Sequence, residues 1–366
     1  MSENILVIEN LTVDFTVRNA VLHVLRGISL KVIKGESLVI VGESGCGKSV
    51  LLKSILGLLE QNAKIVSGSI LYRGTNLTTF QSEKEFQRIR GNEIAMILQD
   101  PMTSLNPLIT IGDQIEEAIS IHQPRSKRKR KEEVIRLLTE VGIHDPINTR
   151  HYYPHECSGG MRQRVVIAIA LACKPKILLC DEPTTALDAT IQEQVLNLLN
   201  DLQQKYQLTV VYITHDFGVV GKVANRVAVM YAGEIVEVGT SNDIFRNARH
   251  PYTWSLLASQ PTLYQPGEEI IYLDGTLPNP QEIIQGDAFA PRNPWALVRD
   301  FTCSPPYYKV SDTHQVKSWL MDKRAPKVEP PRILKEYYQL GKTIGEQRVD
   351  PRSTTRDPRT TKECPR

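Results

Sequence analysis

The stretch GESGCGKS, residues 42–49, decides the fold of this chain. It fits the pattern G-x-x-x-x-G-K-S/T, follows the apolar run ESLVIV, and precedes residues 49–59, whose pattern predicts a helix. Glycines at this spacing let the backbone turn its amides toward phosphate oxygens, and the start of the helix adds positive potential. We therefore predict a phosphate-binding loop, in preference to a glycine-rich turn that binds nothing.

The loop supplies the first set of predicted ligands. We expect Lys48 to contact the β- and γ-phosphates of a nucleotide and the Ser49 hydroxyl to bind Mg²⁺. The predicted nucleotide-binding residues of the loop are Gly42, Glu43, Ser44, Gly45, Cys46, Gly47, Lys48, Ser49 and Val50.

Composition and charge narrow the class of protein. The chain has 366 residues, and its formal net charge of +3 gives no support to a dedicated nucleic-acid binder. There is no run of about 18 apolar residues, and the N-terminus MSENILVIENL lacks the pattern of a secretion signal. The six cysteines are scattered without a C-x-x-C pair, which suits a reducing cytosol better than a disulfide framework.

The order of the apolar patterns indicates an α/β domain. Strands are predicted in ILVIENLTVDFTV, ISLKV, ESLVIVG, KILLCDEP and LTVVYITHD, and a hairpin is predicted near residues 232–233. Residues 83–172 predict a mostly helical region. Strands that alternate with helices favour an α/β domain ending near residue 245, before a section rich in prolines and aromatics.

Two carboxylates close the apolar run ILLCDEP. We expect Asp181 to support the Mg²⁺ shell through water and Glu182 to polarise the attacking water. The alternative is a strand edge with solvated acids, which the phosphate loop upstream makes the weaker interpretation.

A second anion site is predicted in CSGGMRQR, residues 157–164. Its Ser-Gly-Gly turn enters the long helical pattern MRQRVVIAIALACK, which places backbone amides at a helix N-terminus. One nucleotide does not need two phosphate-binding surfaces of the same molecule. Two chains that meet head to tail would use one surface from each.

The combination of motifs resembles the nucleotide-binding subunits of ATP-binding-cassette (ABC) transporters. It consists of GESGCGKS, Gln99 in MILQDP, CSGGMRQR, ILLCDEP, TALD and His215 in YITHD, in the order found in that family. The resemblance covers about residues 1–245 and implies an α/β fold with an ABC-type P-loop NTPase core. This core would have an N-terminal antiparallel β subdomain and a helical subdomain at about residues 91–168. ATP and Mg²⁺ are the implied cofactors, and ATP hydrolysis is the implied activity.

The resemblance also implies roles for individual residues. The implied catalytic residues are Glu182, His215 and Gln99, and the implied metal-site residues are Ser49, Gln99 and Asp181. Residues of the signature motif that would contact ATP held by a partner chain are Ser158, Gly159, Gly160 and Gln163. Asp188 would link the two sites of the dimer, and Phe15 would stack on adenine, with an ordinary strand core residue as its alternative.

Longer stretches are similar to the ATPase subunits of bacterial oligopeptide and dipeptide permeases. They are MILQDPMTSLNP, YYPHECSGGMRQRV, CDEPTTALDATIQEQVL and RHPYTWSLLASQP. This similarity implies a C-terminal peptide-transporter extension at residues 246–330, before a polar tail at 331–366 that we expect to be partly disordered. The implied partners are a second, non-identical ATPase, two transmembrane permease subunits and, indirectly, an extracellular peptide-binding protein. The implied location is peripheral, on the cytoplasmic face of the bacterial cell membrane.

Other functions stay open at this point. Importers of dipeptides, nickel, haem or glutathione belong to the same branch, and the ATPase sequence hardly distinguishes their cargo. A soluble cassette ATPase of DNA repair or translation is disfavoured, because it would need a second cassette or a coiled-coil insertion and the sequence shows neither. A non-enzymatic, nucleotide-sensing adaptor is disfavoured by the intact Glu182 and His215. The basic run RSKRKRKEEV, residues 125–134, favours a solvated helix face, with contact to anionic lipid headgroups as the alternative.

The C-terminal section departs from many relatives, in which four cysteines are thought to bind an iron–sulfur cluster. The flanking residues of that pattern remain here as Gly286, Phe289, Arg292, His314 and Val316. The four ligand positions carry Asp287, Asn293, Asp300 and Ser318, and Cys303 lies three residues out of position. We predict no iron–sulfur cluster and expect hydrogen bonds among Asp287, Asn293 and Asp300.

Two cysteines depart from or stand out in the family motifs. Cys157 occupies a signature position that is usually Leu, and we expect it to pack as a small hydrophobe. Cys46 lies in the phosphate loop, where a helix N-terminus and Lys48 are expected to lower the pKa of its thiol. One hypothesis is that alkylation of Cys46 blocks ATP hydrolysis, and the favoured alternative is a small filler residue.

Overall fold

A computed structural model describes residues 3–347 of the chain, except residues 19, 124, 125, 186 and 266. The strands are β1 (Asn4–Val17), β2 (Ala20–Ile33), β3 (Ser37–Val41), β4 (Ala63–Tyr72), β5 (Thr75–Asn76), β6 (Ile94–Ile97), β7 (Ile177–Asp181), β8 (Thr209–Thr214), β9 (Arg226–Tyr231), β10 (Glu234–Thr240), β11 (Tyr307–Lys309) and β12 (Gln315–Lys317). The α-helices are α1 (Lys48–Leu56), α2 (Glu83–Gln87), α3 (Pro101–Ser104), α4 (Ile111–His122), α5 (Lys127–Glu140), α6 (Pro146–Thr149), α7 (Gly159–Leu171), α8 (Ala189–Tyr206), α9 (Phe217–Val223), α10 (Ser241–Asn247), α11 (Pro251–Ala258) and α12 (Arg332–Gln347).

The central sheet runs in the order β11-β12-β10-β9-β3-β8-β7-β6. Its strands β9, β3, β8, β7 and β6 pair in parallel, and every residue of β3, β7 and β8 is buried. Parallel strands covered on both faces need apolar side chains throughout, which is why their sequences are continuous apolar runs. The predicted α/β core is confirmed.

A second, antiparallel sheet is formed near the N-terminus, in the order β2-β1-β4-β5. The long strands β1 and β2 pair along their length with several register shifts, and β4 pairs on the other side of β1. The predicted antiparallel subdomain is therefore confirmed, although the sequence did not predict β4 and β5.

Residues 83–172 are mostly helical, as predicted, but their described part contains one strand, β6, that the sequence did not predict. Residues IAMI of β6 pair in parallel with β7 at the edge of the central sheet. Four residues are too few to show a strand period, and Ala and Met favour helix, so the pattern gave no signal. The predicted helical subdomain at 91–168 therefore includes a strand of the core sheet.

Helix α1 ends earlier than the predicted residue 59. It stops at Leu56 because Gly57 adopts a left-handed conformation, with φ of 60°, and its amide closes the helix end. A side chain at Gly57 would also collide with the ring of Phe86, whose nearest atom lies 2.3 Å from a β-carbon built there.

The C-terminal section continues the central sheet. Strand β12 pairs with β10, and β11 pairs with β12, so residues on both sides of the predicted boundary at 245 share one sheet. A buried hydrogen bond reinforces this junction, because His314 Nε2 lies 2.8 Å from Glu237 Oε1 and both side chains are fully buried. The Glu237 carboxylate also accepts hydrogen bonds from the backbone amides of Arg249 and His250, which directly precede α11.

Phe289 is the packing centre of this section. It is fully buried, and its ring centroid lies 5.2 Å from that of Tyr231, 5.4 Å from Tyr252 and 5.8 Å from His250. Tyr231 ends β9 of the core sheet, whereas Tyr252 belongs to α11 and His250 precedes it. Aromatic packing therefore joins the C-terminal section to the core.

Two further predictions concern the polar tail and membrane-spanning helices. Helix α12 occupies residues 332–347 of the predicted polar tail, and residues 348–366, on which the expected disorder falls, lie outside the described residues. In the part of the chain that the structure describes, no helix has the length and apolarity needed to cross a membrane.

Replacing Phe289 tests this packing. Phe289→Ala is expected to lower the free energy of unfolding by about 3–5 kcal/mol, because a large buried ring is lost and a cavity remains. Phe301→Ala is the matched control, since Phe301 is 56% exposed in the same section and its loss is expected to cost less than about 0.5 kcal/mol. Urea denaturation of both variants measures the difference, and equal losses would contradict the account.

Candidate functional site

The phosphate loop connects β3 to α1 in a conformation that only glycine permits at several points. A β-carbon at Gly42 would lie 2.1 Å from the carbonyl oxygen of Met230, and Gly47 has φ of 106°. Gly45 also lies in the left-handed region, with φ of 82°. The loop is thus held against the end of β9 at a distance that excludes any side chain.

Lys48 and Ser49 begin helix α1 and point into the site. Lys48 Nζ donates to the carbonyl oxygens of Gly42 and Glu43, at 2.8 and 2.9 Å, so the ammonium group lies across the loop. Ser49 Oγ donates to Asp181 Oδ1 at 3.0 Å. The loop's ammonium and hydroxyl groups therefore meet at the carboxyl end of β7.

Asp181 and Ser49 form an oxygen pair suited to Mg²⁺. Asp181 is buried, and burial raises the pKa of its carboxyl despite the hydrogen bond from Ser49. A divalent cation would favour the ionised form, and hydroxyl and carboxylate oxygens are ligands that Mg²⁺ accepts together with water. These residues therefore fit the metal expected with a nucleotide.

Glu182 lies at the centre of a polar cluster. Its Oε1 is 3.0 Å from His215 Nδ1, and its Oε2 accepts hydrogen bonds from Gln99 Nε2 at 3.2 Å and Thr185 Oγ1 at 2.9 Å. Burial opposes ionisation of Glu182, but the hydrogen bonds from His215 and Thr185 outweigh it and lower the pKa of the carboxyl. Glu182 is therefore a carboxylate at neutral pH.

The backbone of Glu182 is also unusual. Its φ of 46° lies in the left-handed region that residues other than glycine rarely adopt, and its amide donates to the carbonyl oxygen of Ile213 at 3.1 Å. Such backbone strain concentrates at functional sites, where the surrounding structure fixes the side chain.

Most of these residues line one cavity of about 600 Å³, whereas Asp181 and Gly42 are not among its lining residues. The cavity is bounded by the phosphate loop, by Gln99 and by the cluster around Glu182, and its lining residues are Val24, Glu43, Ser44, Gly45, Gly47, Lys48, Ser49, Val50, Gln99, Glu182, Thr185 and His215. Cationic and hydroxyl groups of the loop thus face a carboxylate and an imidazole across a space of nucleotide size. The arrangement suits activation of a water molecule beside a bound phosphate chain.

The structure does not bring every predicted residue to this cavity. Phe15 is half-buried in β1, where it pairs with Leu22 and Ala63, and it is not among the lining residues. Ser158 and Gly160 of the signature motif are also absent from the lining of the cavity. The predicted two-surface arrangement is consistent with this separation.

The signature motif forms the start of α7. Ser158 caps the helix, with its Oγ accepting from the amide of Met161 at 3.3 Å. A β-carbon at Gly160 would lie 2.9 Å from the side chain of Ile191 in α8, so glycine allows the two helices to approach. Gln163 differs from the other signature residues because its side chain is buried and does not share their exposed surface.

Asp188 starts the neighbouring helix. Its Oδ1 accepts from the amides of Thr190 and Ile191 at 3.1 and 3.0 Å, which makes it the N-terminal cap of α8. The residue therefore has a local structural role beside its predicted role at a dimer interface.

The expectation for Cys46 is wrong in its direction. The thiol is almost fully buried, and burial raises its pKa more than Lys48 lowers it. A buried, protonated thiol reacts slowly, which favours the small filler residue. Cys157 is buried as well, and burial raises the pKa of its thiol.

At the four positions that carry cluster cysteines in relatives, the side chains here form hydrogen bonds with nearby backbone amides. Each side-chain oxygen accepts from a nearby amide: Asp287 from Phe289, Asn293 from Trp295, Asp300 from Leu297 and Ser318 from Leu320. One of the expected hydrogen bonds among Asp287, Asn293 and Asp300 is present through the backbone, since the amide of Asp287 donates to the carbonyl oxygen of Asp300 at 2.7 Å. The three side chains instead accept from amides of their own turns. Oxygen groups do not suit an iron–sulfur cluster, which thiolates hold.

Two lining residues had no role in the sequence prediction. Thr185 belongs to the quoted stretch TALD. Its hydroxyl group, three positions after Glu182, could have indicated a hydrogen bond to that carboxylate. Val24 lies in β2, and an apolar residue in a strand gives no signal for a site.

Two family models match the chain. The model described as ABC transporter matches residues 25–185, and the model described as oligopeptide/dipeptide transporter, C-terminal region, matches residues 236–297. The chain is 51% identical over 330 residues to the oligopeptide transport ATP-binding protein AmiE of Streptococcus pneumoniae, covering 90% of this chain and 93% of that protein. It is 50% identical over 329 residues to the dipeptide transport ATP-binding protein DppD of Lactococcus lactis, covering 90% and 94%.

Solved structures support the fold. The dimeric ATP-binding cassette MJ0796, in a post-hydrolysis state bound to ADP and Pi, matches with a TM-score of 0.58 at 28% identity. The match covers 64% of this chain and 98% of that one.

Asp287 provides a pH-dependent test of the C-terminal section. Burial raises the pKa of its carboxyl to about 6, so the folded state binds a proton more tightly than the unfolded chain and stability falls as pH rises from about 4 to about 6. Asp287→Asn keeps the oxygen that accepts from Phe289 and removes the charge. It is expected to raise the free energy of unfolding by about 3 kcal/mol at pH 8 and by about 1 kcal/mol at pH 4.5.

Urea denaturation at both pH values measures this difference. Asp312→Asn is the control, because Asp312 is 95% exposed beside Lys309 and its replacement should give no gain at pH 8. The same change in stability for Asp287→Asn at both pH values would contradict the assignment.

Proposed function

The chain belongs to the family of ATP-binding subunits of oligopeptide and dipeptide ABC transporters, and we propose that it powers the import of oligopeptides. In this proposal the chain binds and hydrolyses ATP as a peripheral subunit on the cytoplasmic face of the bacterial cell membrane. The observation that carries the proposal is the cavity in which Lys48, Ser49 and Glu182 meet.

The residues of the cavity divide the chemistry among them. Lys48 and the loop amides bind the β- and γ-phosphates, and Ser49 and Asp181 hold Mg²⁺, with Asp181 acting through water and Gln99 as a further ligand. When bound, Mg²⁺ neutralises charge on the phosphates. Glu182 accepts a hydrogen bond from the attacking water, and His215, beside the same carboxylate, holds the γ-phosphate.

A second chain completes the site. The signature residues Ser158, Gly159 and Gly160 do not line the cavity of their own chain, which supports a head-to-tail dimer in which they contact ATP held by the partner. A solved ATP-binding cassette of similar fold is dimeric, which supports the pairing of two such chains. We propose that the partner is a second, non-identical ATPase, and that Asp188 lies at the junction of the two chains.

The remaining partners follow from the proposed role. Two transmembrane permease subunits would carry the peptide, and an extracellular binding protein would deliver it to them. ATP binding closes the ATPase dimer and turns the permease outward, and hydrolysis with product release resets it. This chain need not contact the peptide itself, and no nucleic acid is required.

Several specific cargoes are candidates for this transporter. AmiE and DppD are named for oligopeptide and dipeptide transport, and both are about half identical to this chain. Related importers for nickel, haem or glutathione are the other candidates. Uptake of labelled tripeptides and longer peptides in a deletion strain, restored by the parent gene and not by a Lys48→Ala variant, tests oligopeptide import against these.

Glu182→Gln tests the catalytic assignment. The amide cannot serve as a base, so kcat for ATP hydrolysis in the assembled transporter is expected to fall at least about 100-fold while ATP still binds. Glu193→Gln is the matched control, because Glu193 is an exposed glutamate of α8 paired with Lys222 and should leave kcat unchanged. Phosphate release measures both variants, and a Glu182→Gln enzyme that retains its rate would refute the role.

A second test concerns the C-terminal section. We propose that it holds no iron–sulfur cluster, and protein purified without oxygen is expected to be colourless and free of stoichiometric iron and sulfide. A visible charge-transfer band, with iron and sulfide in integral ratio to the chain, would contradict this proposal.

A further inference from the structure

The C-terminal section is bonded directly to the phosphate loop. Arg292 Nη1 donates to Glu43 Oε2 at 2.7 Å, and Arg292 Nη2 donates to Glu43 Oε1 at 3.1 Å. The Arg292 side chain is only 5% exposed. A bidentate pair in which the guanidinium is this well buried is strong and fixed in direction.

Arg292 also fixes a segment that crosses the loop. Its Nε donates to the carbonyl oxygen of Asp274 at 2.8 Å, at the start of residues 273–284, which we term the strap. Further along the strap, a Leu277 methyl carbon lies 3.7 Å from a β-carbon built on Gly45, and the carbonyl oxygen of Pro280 accepts the amide of His23. The strap therefore runs from Arg292 over the phosphate loop to β2.

A second contact holds the same loop residue. The amide of Glu43 donates to the Tyr252 hydroxyl at 2.9 Å, and Tyr252 is fully buried in α11. The side chain and the backbone of Glu43 are thus both directed toward the C-terminal section. The Glu43 amide is used by Tyr252, which leaves the later amides of the loop to bind phosphate.

The electrostatics of Glu43 require such a partner. Its carboxylate lies on a loop that binds the triphosphate of ATP, and like charges at short range repel each other. Arg292 neutralises the carboxylate through two charged hydrogen bonds. Without Arg292, the loop would present a negative charge beside the ligand and would lose its anchor to the strap.

We propose that Arg292 is a positioning residue for ATP binding, which acts by neutralising Glu43 and holding the phosphate loop in its binding conformation. The inference rests on the proposed function, since it assumes that this loop binds ATP. It gives the C-terminal section a role at the nucleotide site, because the turn that ends at Arg292 supports the phosphate loop.

The test compares the parent, Arg292→Met and the double variant Arg292→Met, Glu43→Gln in the full-length chain, with the Kd for fluorescent methylanthraniloyl-ATP and Mg²⁺ as the readout. Arg292→Met is expected to weaken binding about tenfold, the factor that about 1.4 kcal/mol of lost interaction produces. Adding Glu43→Gln to that variant removes the unpaired carboxylate and is expected to restore the Kd to within about threefold of the parent value. A merely structural role predicts that the second substitution weakens binding further.

Controls separate the inference from folding and from the proposed function. Arg324→Met removes an exposed arginine of the same section, 80% exposed beside Asp322, and should leave the Kd unchanged. Arg292→Lys keeps the charge but not the two-pronged geometry, and serves if Arg292→Met does not fold, with an intermediate Kd expected. In the assembled transporter, Arg292→Met should raise KM for ATP and leave kcat near the parent value.

The outcomes are distinct. Binding by folded Arg292→Met or Arg292→Lys that equals the parent's overturns the inference, and so does a double variant that binds more weakly than Arg292→Met. Failure of the parent chain to bind the nucleotide would instead overturn the proposed function.

Discussion

Parallel pairing of β3, β8 and β7 is the constraint on which the site depends. The register places Val41 beside Thr214 and Asp181 beside Ile213, so the three strands end at the same edge of the sheet. The phosphate loop, Glu182 and His215 each follow one of these ends. Residues far apart in sequence are therefore brought together by the pairing of the strands. The backbone amide of Glu182 is also fixed, because it donates to the carbonyl oxygen of Ile213 in the neighbouring strand β8.

The C-terminal section is an extension of this framework. Its strands continue the central sheet, and Phe289 packs against Tyr231, the last residue of β9. The turn that follows β9 also contacts the phosphate loop: the amide of Gly233 donates to the carbonyl oxygen of Cys46 at 2.9 Å. The loop is thus held both by β9 with the turn after it and by Arg292 with the strap. A section that in many relatives carries cluster cysteines is here held by aromatic packing and by short hydrogen-bonded turns.

The sequence was informative where the chemistry is local. The glycines and Lys48 of the phosphate loop, the carboxylates at the end of β7 and the Ser-Gly-Gly turn each lie within a few residues, so their patterns predicted the loop, the strand end and the helix start. The first two sets meet in the structure, where Ser49 binds Asp181 and Lys48 and Glu182 line one cavity. It failed where burial or distant contacts decide. Lys48 beside Cys46 suggested a lowered thiol pKa, but the fold buries the thiol and reverses the shift. The pair between Glu43 and Arg292 joins residues 249 positions apart, and no local pattern reports such a contact. Strand β6 was missed because it takes its structure from its neighbour β7.

The central claim is that this chain provides one half of an ATP site and a partner ATPase provides the other half. The most direct measurement is a structure of the assembled transporter, trapped with MgATP by the Glu182→Gln substitution. The account predicts a triphosphate bound by Lys48 and Ser49 of this chain and covered by the signature motif of the partner, with Ser158 and Gly160 of this chain on the partner's nucleotide. Nucleotides that each contact only one ATPase chain, or that lie away from Lys48, would contradict it.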